Sequence, residues 1–386
     1  NELESTPGVS YILSEDMSYA TVIRYSGIYS TVKIMAEYRG VPVTHIGDSA
    51  FANMYNNVNK VVFPDSITHI GKKAFSDCYS LKVDALPPNL EYIGDEAFMN
   101  CGELTISHIP DKVTYLGKKA FKNCYRLGDI TIGDSLTHIG DEAFAFCNNL
   151  GTVIFGESVV SVGKMAFYSS GINEAIISDS TTTLGTSSFS ICSISKIHIG
   201  KSLGDFGDSN LNHTRSLSEV TLNEENEYFA LQNGMLYSKD KTKIYLFPAA
   251  SELTEYFIPD SVETIGRGAF CGSKNVAEIT GCKGLKTVSE NAFYSCDSLT
   301  SVVIPDSVTT IPDYAFDYCT SLKNVEFPGN LTMIHSYAFR GCTELENLIL
   351  PDSVTGIADC AFAGCTGLKT VRLSKQMDTI ADRAFA

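Results

Sequence analysis

A phrase of about 23 residues recurs along almost the whole chain. It reads Ile-Gly-x-x-Ala-Phe-x-x-Cys and continues as Leu-x-x-Val-x-Ile-Pro-Asp-Ser-Val. Its phenylalanine falls at Phe51, Phe75, Phe98, Phe121, Phe144, Phe167, Phe189, Phe270, Phe293, Phe316, Phe339, Phe362 and Phe385. Self-similarity at this period indicates a solenoid, in which each unit buries its apolar residues only by stacking on its neighbours. A solenoid offers an extended face, rather than a pocket, for function.

Each unit predicts the same local structure. In the unit at residues 299–319, alternating apolar residues from Leu299 to Ile304 predict a strand that ends at a Pro-Asp-Ser turn. A second short strand is expected over residues 308–311, and one helical or 3₁₀ turn over residues 313–319. The expected fold is therefore an α/β repeat solenoid that forms a right-handed superhelix. A parallel β-sheet covers one face and a thinner ladder covers another.

Two segments interrupt the repeat and divide the chain into four parts. Residues 1–40 carry alternating apolar residues around Gly27 and predict a β-meander that caps the first coil. Residues 41–222 are the first block of repeats, and residues 259–386 are the second. Between them, residues 223–258 hold two aromatic, β-rich runs around a charged turn, which predicts a hairpin island. Either a functional insert or a plain spacer that permits a bend explains this island.

The cysteines form a column rather than a disulfide or metal framework. Nine of the twelve stand three residues after a repeat phenylalanine: Cys78, Cys101, Cys124, Cys147, Cys192, Cys296, Cys319, Cys342 and Cys365. Buried, unpaired thiols are expected, because parallel stacking rarely supplies the Cβ orientation that a disulfide needs. No Cys-x-x-Cys occurs, so zinc and redox motifs have no support.

Charge and hydropathy exclude two classes of partner. The formal net charge is −16, with 45 acidic against 29 basic residues, so nucleic acid is not expected to bind. No apolar stretch approaches the roughly 18–20 residues that cross a bilayer, so no membrane span is predicted. The chain begins with Asn1 and stops one residue after Phe385. Both ends are expected to be cut, with any signal or anchor outside this chain.

No constellation of catalytic or metal-binding residues is found. His45, His69 and His138 share one repeat position, but no acid or cysteine stands near them at ligand spacing. A column of acids follows the main strands and includes Asp134, Asp179 and Asp306. We interpret these acids as turn residues that bond their own backbone, rather than as a calcium ladder. Neither an enzyme nor a cofactor is expected.

The outward face of the main strands is the candidate contact surface. Several apolar side chains stand there although solvent is expected to cover it, which favours a protein contact. β-Branched residues also favour strands in their own right, and that is the competing explanation. The predicted partner-binding residues are Ile106, His108, Ile154, Ile176, His198, Val303, Glu326, Ile349 and Arg372.

The repeats resemble a known family. The run Ile304-Pro-Asp-Ser-Val308, followed by Ile311, Ala315-Phe316 and Cys319, is similar to the BspA-like, or Treponema pallidum-type, leucine-rich repeats of bacterial surface proteins. The similarity covers about residues 41–386. Gly8 to Gly40 resembles the β cap that often precedes such arrays, and Tyr228 to Pro248 resembles an insert they often carry.

This resemblance implies a noncatalytic, secreted or surface-anchored bacterial protein. Such a protein binds others in adhesion, for example host extracellular matrix or another cell's surface protein, and carries no catalytic or metal residue to transfer. We expect a monomer that binds a protein partner through its sheet face. The alternative is a carbohydrate-binding or structural spacer region, with Tyr228, Tyr237 and Tyr245 stacking on sugar rings.

Overall fold

The computed structural model describes residues 5–207, 210–211 and 213–386. Short β-strands and tight turns make up two compact units. One unit comprises residues 1–210 with 223–226, and the other comprises residues 211–222 with 227–386. The remaining positions, which are residues 1–4 of the predicted cap and 208, 209 and 212 of the predicted first block, lie outside the described residues.

Most coils contribute a main strand to one side of their unit. Neighbouring main strands pair in parallel, as Thr152 does with Glu174 and Ile154 with Ile176. In the first unit these strands are Thr31–Lys33, Lys60–Val62, His108–Ile109, Ile130–Ile132, Thr152–Ile154, Glu174–Ile176 and Lys196–Ile199. In the second unit they are Glu219–Leu222, Glu255–Ile258, Glu278–Gly281, Ser301–Val303, Asn324–Glu326, Asn347–Ile349 and Thr370–Arg372. The predicted repeat solenoid with a parallel sheet on one side is confirmed.

A shorter strand occupies a second side of each coil and forms a thinner parallel ladder. Leu116, for example, pairs with Ile93 and with Ile139. In the first unit these strands are Val41–Ile46, His69–Ile70, Tyr92–Ile93, Tyr115–Leu116, His138–Ile139, Ser161–Val162 and Thr183–Leu184. In the second unit they are Thr264–Ile265, Thr287–Val288, Thr310–Ile311, Met333–Ile334, Gly356–Ile357 and Thr379–Ile380.

The turn around each repeat phenylalanine forms a third ladder instead of a helix. The backbone N–H of Phe98 donates to the carbonyl of Ala120 in the next coil at 2.8 Å. Glu96 and Asn100, two residues to either side, have left-handed φ of 57° and 63°, and helical turns need negative φ. The α part of the predicted α/β class is therefore wrong, since the described residues contain no helix. Within that part of the chain, no helix of bilayer-spanning length and hydropathy occurs.

The phenylalanine rings stack along the core of each unit. The ring centroids of Phe98 and Phe121 are 5.3 Å apart, and those of Phe121 and Phe144 are 5.4 Å apart. All three side chains are fully buried. The ring separation is close to the roughly 4.8 Å between paired strands, so ring stacking and strand pairing support the same coil spacing.

The cysteine column packs beside the rings and bonds to the preceding coil. The Cys101 thiol donates to the carbonyl of Phe75 at 3.0 Å, and the Cys124 thiol donates to that of Phe98 at 3.1 Å. All twelve cysteines are buried and free, which confirms the prediction for the nine cysteines of the column. Burial raises the pKa of Cys147 to about 12, so this thiol stays protonated and keeps its donor hydrogen.

The N-terminal segment opens the first unit with a hairpin. Val9–Leu13 pairs antiparallel with Ala20–Tyr25, which then pairs in parallel with Val41–Ile46. Thr31–Lys33 pairs in parallel with the main strand Lys60–Val62. The strands therefore do not follow the consecutive antiparallel order of the predicted meander, because this segment already extends both ladders of the solenoid. A short strand, Glu37–Tyr38, pairs antiparallel with the start of Val41–Ile46.

The central segment gives the second unit a comparable beginning. Phe229–Gln232 pairs antiparallel with Met235–Ser238, which pairs antiparallel with Lys243–Leu246. Lys243–Leu246 then pairs in parallel with Thr264–Ile265, the next strand of the short ladder. Part of this segment is thus itself a coil of the solenoid.

The opening hairpins of the two units are Val9–Leu13 with Ala20–Tyr25 and Met235–Ser238 with Lys243–Leu246, and their loops have the same chemistry. The hydroxyl of Ser14 donates to Asp16 at 2.7 Å, and the hydroxyl of Ser238 donates to Asp240 at 2.6 Å. In both loops the serine or threonine two residues later donates its backbone N–H to the same carboxylate. The hydroxyl bonds, Ser14 first, lower the pKa of Asp16 to about 2. The Ser-x-Asp-x-Ser/Thr pattern was readable in the sequence and marks both hairpins.

Candidate functional site

Predicted binding residues of the first unit lie in one row across its main sheet. Thr131 pairs with His108 and with Ile154, Ile154 pairs with Ile176, and Ile176 pairs with His198. Because these residues occupy matching positions in parallel strands, their side chains project from the same face. Ile154 is 40% exposed, while Ile176 and His198 are half-buried.

His108 lies beside a gap in the sheet. Residues 83–85 form no strand, and a shallow cavity lined in part by Asp84, Pro88 and His108 lies at the gap. His108 Nε2 is 3.3 Å from Asp111 Oδ1. Both side chains are exposed, so this pair contributes little to stability and His108 stays accessible on the face.

Ile106 does not belong to this surface, and its prediction as a binding residue is wrong. Its side chain is 1% exposed. In most coils the residue three positions after the repeat leucine is apolar, as Ile130 is after Leu127. After Leu104 that third position is the polar Ser107, and the apolar residue, Ile106, comes one position earlier. The exchange turns Ile106 inward and leaves Ser107 outside, since neighbouring positions face opposite ways. Ser107 was the sequence signal for this reversal.

The second unit presents a comparable row in which apolar and polar residues alternate from coil to coil. Phe257 pairs with Thr280, Val303 with Glu326, and Ile349 with Arg372. The three apolar side chains are 61%, 52% and 55% exposed, in chain order. The row runs over two sheets, one from Glu255–Ile258 to Asn324–Glu326 and a second that pairs Asn347–Ile349 with Thr370–Arg372. Large apolar groups exposed at such regular spacing favour a contact surface over scattered surface residues.

Phe257 was missed by the sequence prediction. The prediction placed residues 223–258 in the insert, although Phe257 lies on the main strand Glu255–Ile258. The signal was present, because Ile258-Pro259-Asp260 repeats the strand-ending phrase of the other coils. Phe257 is the most exposed apolar residue of the second-unit row.

Two of the three histidines at the shared repeat position, His45 and His69, form a stack and not a metal site. The rings of His45 and His69 are 4.3 Å apart with an interplanar angle of 10°, and Tyr19 stacks on the other face of His45. Burial, and then the neighbouring His69, lower the pKa of His45 to about 4. Across residues 5–207, 210–211 and 213–386, no three His, Cys, Asp or Glu side chains are grouped to hold a metal ion.

The acids after the main strands stabilise turns, but through the next coil. Asp134 accepts the backbone N–H of Glu157 at 3.1 Å, and Asp179 accepts that of Lys201 at 2.8 Å. These bonds join neighbouring coils. The prediction that each acid bonds its own backbone is therefore wrong for these residues. The carboxylates thereby join adjacent turns of the solenoid.

The three tyrosines of the carbohydrate alternative differ in exposure, and Tyr228 is 53% exposed. Tyr237 is 2% exposed, and its hydroxyl bonds to that of Tyr256 in the interior. Lys243 Nζ lies 4.3 Å from the centre of the Tyr245 ring and covers one of its faces. Stacking on a sugar needs an open ring face, so the carbohydrate alternative loses Tyr237 and keeps Tyr228 and Tyr245.

Solved structures of bacterial proteins have this fold. A leucine-rich cell surface protein from Faecalibacterium prausnitzii A2-165 is 29% identical, with a TM-score of 0.76 over 95% of this chain and 93% of that one. A leucine-rich repeat protein from Eubacterium ventriosum ATCC 27560 is 22% identical, with a TM-score of 0.63 over 98% and 92%. The pneumococcal vaccine antigen PcpA is 20% identical, with a TM-score of 0.54 over 96% and 81%. The latter two show the fold alone.

No curated protein has a significantly matching sequence. A family model described as the BspA type leucine-rich repeat region matches residues 44–170, 115–233, 240–347 and 332–386. These matches cover nearly all of the repeats, and they confirm the resemblance drawn from the sequence. The chain belongs to the BspA-type leucine-rich repeat family.

Proposed function

We propose that this chain is a noncatalytic, monomeric protein-binding module of a bacterial cell-surface or secreted protein. It binds in adhesion, to host extracellular matrix or to another cell's surface protein. The binding residues are His108, Ile154, Ile176 and His198 in the first unit and Phe257, Val303, Glu326, Ile349 and Arg372 in the second.

The row of exposed apolar side chains on the main sheets carries this proposal. Ile154 and Val303 are 40% and 52% exposed at strand positions where solvent favours polar residues. Their backbones are fixed by parallel pairing, so little conformational entropy is lost when a partner covers them. Burial of such side chains contributes roughly 25 cal/mol per Å² of apolar surface removed from water.

Similarity to a bacterial surface protein supports the location. The Faecalibacterium protein is described as a cell surface protein, and the two chains match over nearly their full lengths. The net charge of −16 disfavours nucleic acid as a competing ligand.

The test measures binding of the purified chain to immobilised fibronectin, fibrinogen, laminin and collagen and to cultured epithelial cells. The double variant Ile154→Ser with Ile176→Ser removes the apolar centre of the first-unit row. We expect the wild type to bind at least one member of the panel and the double variant to bind it at least about tenfold more weakly.

Ile191→Ser is the matched control, because Ile191 is 46% exposed but lies in a turn rather than on the sheet face. This variant is expected to bind like the wild type. Undiminished binding by the double variant contradicts the proposed face, and absence of binding to the whole panel contradicts the adhesive function. Thermal unfolding of each variant keeps loss of folding apart from loss of contact.

A further inference from the structure

We propose that the face formed by the main strands of the second unit binds a basic amphipathic α-helix, laid across these strands along the direction in which the coils stack. This inference rests on the proposed function and names the partner element that the face takes. The helix places apolar residues at seven-residue intervals against Phe257, Val303 and Ile349.

Spacing is the first argument. Adjacent phenylalanine rings in these coils are 5.0–5.3 Å apart, so exposed apolar residues two coils apart repeat about every 10 Å. A helix rises about 10.5 Å over seven residues, which matches this repeat to within about 1 Å per step. Side chains on one side of an extended strand repeat about every 6.7 Å and lose register after one step. The face therefore fits a helix and not a strand.

The border of the row supplies the second argument. Glu255 and Glu278 stand two residues before the row, and Asp260 and Asp306 stand three residues after it, all with exposed side chains. Across all six coils these two border positions hold five carboxylates, which include Asp352, against two lysines, Lys283 and Lys375, so the border is acidic on balance. A helix whose apolar stripe is bordered by lysine or arginine complements this pattern, and the chain's net charge of −16 favours its approach.

The polar members of the row fix the register of the helix. Glu326 lies between Val303 and Ile349, one coil from each, and is exposed. A helix residue three or four positions after the one on Val303 faces Glu326, because that interval rises about 5 Å. The bound helix therefore carries a basic residue there. Arg372, one coil beyond Ile349, similarly faces an acidic or neutral position.

The test uses a fluorescein-labelled synthetic peptide of about 24 residues with leucines seven apart, lysines beside them and alanines elsewhere. Its control has the same composition with leucines five apart, which spreads them around the helix. Fluorescence anisotropy measures the binding of each peptide to the full chain. We expect the seven-residue peptide to bind at least about tenfold more tightly than its isomer.

Protein variants locate the contact. Val303→Lys is expected to weaken binding of the seven-residue peptide at least about tenfold, and Ile349→Lys provides a second variant should the first unfold. Val160→Lys is the matched control, because Val160 is 44% exposed in the first unit, and it is expected to bind like the wild type. Glu326→Lys is expected to weaken binding, and a peptide with glutamate at the facing position is expected to restore it.

Three outcomes overturn the helix proposal. These are equal binding of the two peptides, wild-type binding by both Val303→Lys and Ile349→Lys, and no binding by either peptide. None of these outcomes bears on the loss of adhesion in the Ile154 and Ile176 double variant, which is measured on another unit with other probes. Failure of this inference is therefore distinguishable from failure of the proposed function.

Discussion

Phe247 stacks on Phe270 with their ring centroids 5.0 Å apart, as Tyr25 stacks on Phe51 at 5.5 Å in the first unit. The Phe247 backbone N–H also donates to the Ala269 carbonyl at 2.7 Å, which is the bond that repeat phenylalanines make. An aromatic residue of each opening hairpin thus begins the ring stack of its unit. The hairpin and the first coil share one core.

Phe247→Ala is expected to lower the free energy of unfolding by about 3–5 kcal/mol, because it removes a buried ring and leaves a cavity at the start of the stack. Urea unfolding monitored by circular dichroism measures the change. Phe257→Ala is the matched control, since the same truncation at a 61% exposed ring is expected to cost about 0.5 kcal/mol or less. Equal costs for the two variants contradict this account.

Ile106→Ser and Ile154→Ser test the reversal of faces in the coil at Ile106. The first is expected to cost about 2–4 kcal/mol in unfolding free energy, because it removes buried methyl groups and buries a hydroxyl. The second changes an exposed side chain and is expected to stay within about 0.5 kcal/mol of the wild type. Chemical denaturation measures both changes in unfolding free energy. A small change for Ile106→Ser contradicts the inward placement of Ile106.

Gly94→Ala is expected to destabilise the chain by about 1–3 kcal/mol. A Cβ on Gly94 lies 2.6 Å from the backbone nitrogen of Lys72, so the coils must move apart. Gly128→Ala provides the comparison, because no atom lies within 4 Å of its added Cβ. The melting temperatures of the two variants test this expectation. If both variants lower the melting temperature equally, close contact between coils does not explain why glycine occupies position 94.

Lowering the pH is expected to destabilise the folded chain because of His45. The pKa of His45 is about 4 in the folded chain, against an ordinary value of 6.5. As the pH falls from about 6.5 to 4, the unfolded chain therefore binds the proton before the folded chain does, and this difference favours unfolding. His45→Gln removes this contribution and is expected to lose less stability than the wild type between about pH 7 and 5. A pH dependence of His45→Gln equal to that of the wild type contradicts this account. Urea titrations at both pH values measure the difference.

The native chain is expected to resist a thiol reagent such as dithionitrobenzoate. Burial raises the pKa of Cys78 and Cys365 to about 12, and the thiolate is the reactive form. In denaturant all twelve cysteines are expected to react, since all are free. Fast reaction of several thiols in the folded protein contradicts the packed column.

The sequence predicted the repeat, the parallel sheet and the thiol column because each depends on one residue type recurring at one position. It did not predict the left-handed turns, because charged and polar residues such as Glu96 and Asn100 occupy positions where glycine usually signals positive φ. Ile106 was predicted on the outer face because its place in the repeat is an outward one, and the polar Ser107 reverses that orientation. Phe257 was not predicted because the repeat resumes within the central segment, one main strand earlier than residue 259.

The opening hairpins have a consequence for how such proteins grow. Each hairpin covers the first coil of its own block, so a block that starts with one carries a ready-made end. Duplication of such a segment adds a block whose first ring, like Phe247, is supplied from within the added block.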